Sequence, residues 1–74
     1  MDIKNAIELL SQKYPGRIPI GYWLKDDNII FNTRPIKVIQ GLTAPSQFAV
    51  TSNGDVYGIN PIMFDLSLDT MRKI

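Results

Sequence analysis

The sequence predicts an α+β fold, with one N-terminal helix packed across an antiparallel sheet of about four strands in two hairpins, as a single domain over residues 1–74. Three observations carry that expectation. Apolar residues recur at helical spacing through the first fourteen positions, and two later stretches alternate apolar and polar residues around turn-forming Asp, Asn and Gly. A helix laid on one face of a sheet also buries both apolar surfaces with few residues, which suits a short chain.

The helix is expected from Ile3 to Tyr14. Asp2 suits the N-cap, because its carboxylate can accept from an N–H of the first turn. Ile3, Ala6, Ile7, Leu10 and Tyr14 share one face, while Lys4, Glu8 and Ser11 fall elsewhere. Pro15 and Gly16 stop it, since Pro cannot continue a helix and Gly suits its cap.

Arg17–Lys25 and Asn28–Arg34 read as the first hairpin, with Ile18, Ile20, Tyr22 and Leu24 alternating as in a half-buried strand. Pro19 donates no backbone hydrogen bond, so the strand is an edge at that point or begins after it. A two-residue loop at Asp26-Asp27 opposes Leu24 to Ile29 and Tyr22 to Phe31; a three-residue loop opposes Trp23 to Phe31 instead. The two-residue loop gathers more apolar surface and is the preferred reading.

The central hairpin, Gln47–Asn60, is read as folded about Asn53-Gly54 in a two-residue type I′ turn, which needs positive φ at both central residues. That register opposes Val50 to Tyr57 and Phe48 to Ile59 and places all four on one face. Between the hairpins, Ile36, Val38 and Ile39 offer a short strand, and Gly41 and Pro45 break regular structure. After Asn60-Pro61, Asp65 or Ser67 is a cap for a short C-terminal helix carrying Leu68 and Met71, with Arg72 and Lys73 suited to its end.

The order helix, hairpin, loop, hairpin, together with the stretch VTSNGDVYGINP, loosely resembles small bacterial immunity-protein and PepSY-type domains. The resemblance covers no diagnostic motif, so it assigns no functional residue.

Composition narrows the chemistry. The chain has neither Cys nor His, which removes thiol nucleophiles, imidazole bases, disulfides and the ligands zinc prefers. A net charge of +1 gives no general attraction to nucleic acid or an anionic membrane. No apolar run approaches the roughly 20 residues that span a bilayer, and MDIKNAIELL lacks a signal-peptide core, so a cytoplasmic location is expected. Asp26-Asp27 is a carboxylate pair, but adjacent strand residues diverge and Asp is common in turns. Ser52-Asn53-Gly54-Asp55 lacks the spaced acids and terminal Glu of a calcium loop. Thr43, Ser46, Thr51 and Ser52 have no imidazole to activate them, and Gly54 and Gly58 are not followed by the Lys-Ser/Thr of a phosphate loop. No catalytic residue, metal site or cofactor is therefore expected.

Tyr22 and Trp23 are the informative pair. Neighbours on a strand face opposite sides, so both are buried only if both faces of the sheet are covered. Trp23 then belongs either to a second small core, under residues 35–46 or the terminal segment, or to an exposed anchor. Trp, Tyr and Arg dominate protein interfaces, so Tyr22, Trp23, Lys25, Arg34 and Lys37 form the candidate interaction surface. The expected function is a small non-catalytic protein-binding module, of a bacterial or phage inhibitor or immunity type, partnered by another protein or by itself as a homodimer. The alternatives are a structural homo-oligomer joined through sheet edges, or a single-stranded nucleic-acid binder using Trp23 with Arg17, Lys25, Arg34 and Lys37. The near-neutral charge and Asp26-Asp27 argue against nucleic acid.

Overall fold

A computed structural model describes residues 2–36, 46–60 and 66–74. The helix α1 spans Ile3–Lys13 and lies on a sheet of strands β1 (Arg17–Lys25), β2 (Asn28–Pro35), β3 (Gln47–Val50), β4 (Val56–Ile59) and β5 (Arg72–Lys73), in the order β4-β3-β2-β1-β5. Every pairing is antiparallel. The α+β expectation holds, with a fifth, very short strand added at the β1 edge.

The helix begins as its first residues dictate. Asp2 accepts from the Asn5 N–H at 2.8 Å, and the Tyr14 N–H closes the last turn on the Leu10 carbonyl at 2.8 Å. Ala6 and Leu10 are fully buried, and Ile3, Ile7, Leu9 and Tyr14 pack around them against Ile29, Phe31, Phe48, Val50 and Val56. This is the main core. Tyr14 lies against Phe48 with ring centroids 4.5 Å apart, so the last turn of the helix is tied to β3.

The first hairpin has the two-residue loop, opposing Leu24 to Ile29 and Tyr22 to Phe31. Asp26 takes φ 53°, a left-handed conformation that Asp tolerates. One detail corrects the sequence reading. Ile18, Ile20, Tyr22 and Leu24 do not share a face, because the register shifts between Pro19 and Gly21 and leaves Ile20 without an opposite partner. Pro19, which cannot donate to a ladder, sits where the ladder is interrupted. Ile18 consequently opposes Arg34 on the face away from the helix.

The central hairpin is the larger correction. Val50 opposes Val56, Ala49 opposes Tyr57 and Gln47 opposes Ile59, one residue out of the predicted register. The loop has three residues, Ser52, Asn53 and Gly54: the Gly54 N–H donates to the Thr51 carbonyl at 3.0 Å, and the Thr51 N–H donates to the Asp55 carbonyl at 2.9 Å. Only Gly54, at φ 88°, is left-handed there, as in the common three-residue hairpin that closes on a glycine bulge. Phe48 and Val50 therefore join Val56 under the helix, while Tyr57 and Ile59 point to the opposite face. The two registers make different predictions for neighbouring residues. Gly54→Val should cost more than about 1 kcal/mol, and Asn53→Ala should stay within about 0.5 kcal/mol. A type I′ turn would make Asn53→Ala costly as well, so urea melts of the two variants separate the loops.

The opposite face holds a second core of Trp23, Ile30, Ala49 and Ile59, with Leu66 and Met71 packed on it. Its cover is the C-terminal segment, which is not the expected helix. Ser67 caps a single 3-10 turn, Leu68–Thr70, and the chain then extends as β5, pairing Arg72 with Tyr22 and Lys73 with Gly21. Asp65, the alternative cap, lies outside the described residues, as do Val38 and Ile39. Among the described residues no helix is long and apolar enough to cross a membrane.

Candidate interaction surface

The residues singled out in the sequence divide between the two faces. Tyr22 is half-buried under the helix, packed against the main core with its ring 6.4 Å from that of Phe31. Trp23 is only 5% exposed, and its indole N–H donates to the Ser67 carbonyl at 2.7 Å. The Ser67 carbonyl also accepts from the Thr70 N–H at 3.1 Å and the Thr70 hydroxyl at 2.9 Å, so the indole is fastened to a capped turn. The second-core reading of Trp23 is the one the geometry supports, and the residue is no exposed anchor. Lys25 and Arg34 share the face of Trp23 but lie at opposite ends of the first hairpin, beside Asn28 and Ile18 respectively. Six residues of extended chain hold them roughly 20 Å apart. Lys37 lies outside the described residues. Arg17 is on the helix side, its guanidinium 5.8 Å from the Phe48 ring centroid. The described members of the basic set thus do not converge on one aromatic.

Asp26 and Asp27 border an open recess of about 530 Å³ at the turn end of the sheet, with Asp2, Leu24, Tyr22 and Arg72 among its other walls. The Asp2 carboxylate is engaged in capping the helix. Among the described residues no three acidic side chains are grouped to hold a metal ion.

What the sequence reading missed is the sheet edge at β4. The bonded Thr51–Asp55 pair fixes the alternation along the hairpin. Tyr57 and Ile59 therefore turn their backbone groups toward β3, and Val56 and Gly58 turn theirs outward. The Val56 carbonyl is occupied, accepting from the Lys13 ammonium at 2.6 Å, which blunts one end of the edge. Gly58 presents its outward N–H and carbonyl without a side chain to shield them. Beside it Tyr57 is 41% exposed on the face away from the helix. A strand laid along this edge would meet a two-way hydrogen-bonding position at Gly58 and an aromatic ring at Tyr57. The glycine and tyrosine are visible in the sequence, but their place at an edge follows from strand order, which no local pattern reports.

No protein-family model matches the chain, and no match is found among curated proteins or solved structures.

Proposed function

We propose that this protein is a non-catalytic binding module that pairs an extended segment of another protein with the outer edge of β4, and acts by blocking or bridging that partner. The observation that carries the reading is the edge itself: Gly58 directs both backbone groups away from β3, next to the exposed ring of Tyr57. Strand addition draws affinity from main-chain hydrogen bonds and specificity from alternate side chains, and this edge supplies one element of each. The absence of His and Cys from the sequence supports the non-catalytic part of the reading. The scattered positions of Arg17, Lys25 and Arg34 weigh against the nucleic-acid alternative.

Gly58→Pro tests it. Proline deletes the outward N–H of residue 58 and leaves the ladder to β3 intact, a substitution edge strands accept. The variant should keep a cooperative melt and lose a partner that the unaltered protein captures from lysate of the cells that produce it. Tyr57→Ala is the companion variant: it removes an exposed ring at little cost in stability and should weaken the same capture. Capture unaffected by both substitutions would move the binding surface elsewhere on the molecule.

A further inference from the structure

We propose that the C-terminal segment Leu66–Ile74 exchanges between copies of this chain, so that in a dimer each molecule covers the β1 edge and the Trp23 face of the other. The inference concerns the far side of the sheet and is independent of the reading of β4.

The segment has a built seat but a short hold. Its backbone pairs with β1 at only two positions, Gly21–Lys73 and Tyr22–Arg72, extended by a 3.4 Å bond from the Ile74 N–H to the Ile20 carbonyl. Side chains supply the rest. Met71 fills the space above Gly21 so closely that a Cβ on that glycine would collide with the Met71 Sδ and approach its Cγ to 2.7 Å. The Met71 sulfur accepts from the Asn32 amide at 3.6 Å, and the Trp23 indole reaches the Ser67 carbonyl. The seat is shaped for this segment in particular: a notch where β1 has no side chain, an amide aimed at a thioether, and an indole donor set for a capped turn. Outside the seat the segment is held by little, with Leu68 71% and Ile74 57% exposed.

These features name the occupant. Trp23, Ile30 and Ala49 cannot be left bare to water, so the seat must be filled. A second copy carries the one segment known to fit it, and exchange makes in trans the contacts already made in cis, which is why it is a low-cost route to dimers. The balance between closed monomer and exchanged dimer is set by the effective concentration of the tethered segment, on the order of millimolar.

Exchange has a kinetic signature that association through another surface lacks. Weakening the seat affects closed monomer and exchanged dimer equally, so it leaves the dimer fraction nearly unchanged and speeds opening. The experiment uses two full-length versions, one with Ile20→Cys carrying a donor dye and one with Ile74→Cys carrying an acceptor; both positions are exposed, and the chain has no cysteine of its own. Mixed at about 1 mM total protein, the concentration at which exchange competes with closure, they should develop energy transfer between molecules. Excess unlabelled protein should reverse it. Adding Met71→Ala to both versions should bring the transfer to the same plateau about tenfold faster, because the lost contact is one that opening breaks. Gly21→Ala disturbs the same seat from the other side and should act likewise if the methionine variant fails to fold. No transfer between molecules overturns the proposal. So does transfer whose rate is indifferent to the seat substitutions, since that identifies a dimer joined elsewhere.

Discussion

Trp23→Ala is expected to cost about 3–5 kcal/mol in a denaturant melt, because it empties the centre of the second core and leaves a cavity under the C-terminal segment. Trp23 is surrounded by Ile30, Ala49, Ile59, Leu66 and Met71, and its indole N–H is used. A domain of this size has stability on the order of 0.05–0.15 kcal/mol per residue, so such a loss brings it close to unfolding at room temperature. Trp23→Phe divides the effect. It retains most of the apolar area and removes one hydrogen bond, for a net cost of about 1 kcal/mol from the bond itself. The Ser67 carbonyl keeps both donors from Thr70, so no bare acceptor adds to that cost. Amide exchange should show the loss unevenly, with residues 66–74 deprotected first. A Trp23→Ala cost below about 1 kcal/mol would contradict the second core, for that is what truncating a surface residue costs.

How far the fold was legible in the sequence depends on how local each determinant is. The helix was readable because its cap, its apolar stripe and its Pro15-Gly16 stop lie within one stretch and need no partner. The first hairpin was readable because its loop joins consecutive strands and one register plainly gathers more apolar surface. The central hairpin was misread for a specific reason. The expected register follows from a two-residue type I′ turn at Asn53-Gly54, which would gather Phe48, Val50, Tyr57 and Ile59 on one face, as if only one face of the sheet were buried. Both faces are buried, and in that case β4 has no single apolar face to align: Val56 goes under the helix and Ile59 goes to the second core. A warning was present in the runs Ile29-Ile30-Phe31 and Phe48-Ala49-Val50, all of whose members are buried. Continuous apolar runs of that kind mark strands covered on both sides.

The C-terminal segment was illegible for the opposite reason. Arg72 and Lys73 form a strand of two exposed residues with no alternation to detect, and its partner β1 begins more than fifty positions earlier. Leu68 and Met71 have helical spacing, yet only a 3-10 turn forms, because Met71 is drawn over Gly21 and the chain must extend to pair with β1. The surroundings of Trp23 were hidden on the same ground. That Tyr22 and Trp23 face opposite sides follows from strand geometry, but which segment covers Trp23 is a long-range fact. Gly58 and Tyr57 likewise gain their importance only from β4 lying at the end of the sheet.

Phe31→Ala should be as damaging as the loss of Trp23, at about 3–5 kcal/mol, but with a different distribution. Phe31 is fully buried on β2, an interior strand, opposed by Tyr22 on one side and Phe48 on the other, with the helix above. It therefore belongs to the main core that α1, β2, β3 and β4 build together, whereas Trp23 serves the second core and the terminal segment. Removing it opens a cavity in the main core between two aromatic neighbours, and the interior of a sheet cannot collapse to fill such a space without breaking ladders. Phe31→Leu keeps most of the volume and should cost under about 1.5 kcal/mol. Hydrogen exchange supplies the discriminating measurement. In Phe31→Ala, protection should fall together in α1 and in strands β1 to β3, because those elements share the lost contact. In Trp23→Ala, the helix should keep most of its protection while residues 66–74 lose theirs. If both variants deprotect the same residues to the same degree, the two faces of the sheet are a single cooperative core, and the C-terminal segment does not open separately from the rest.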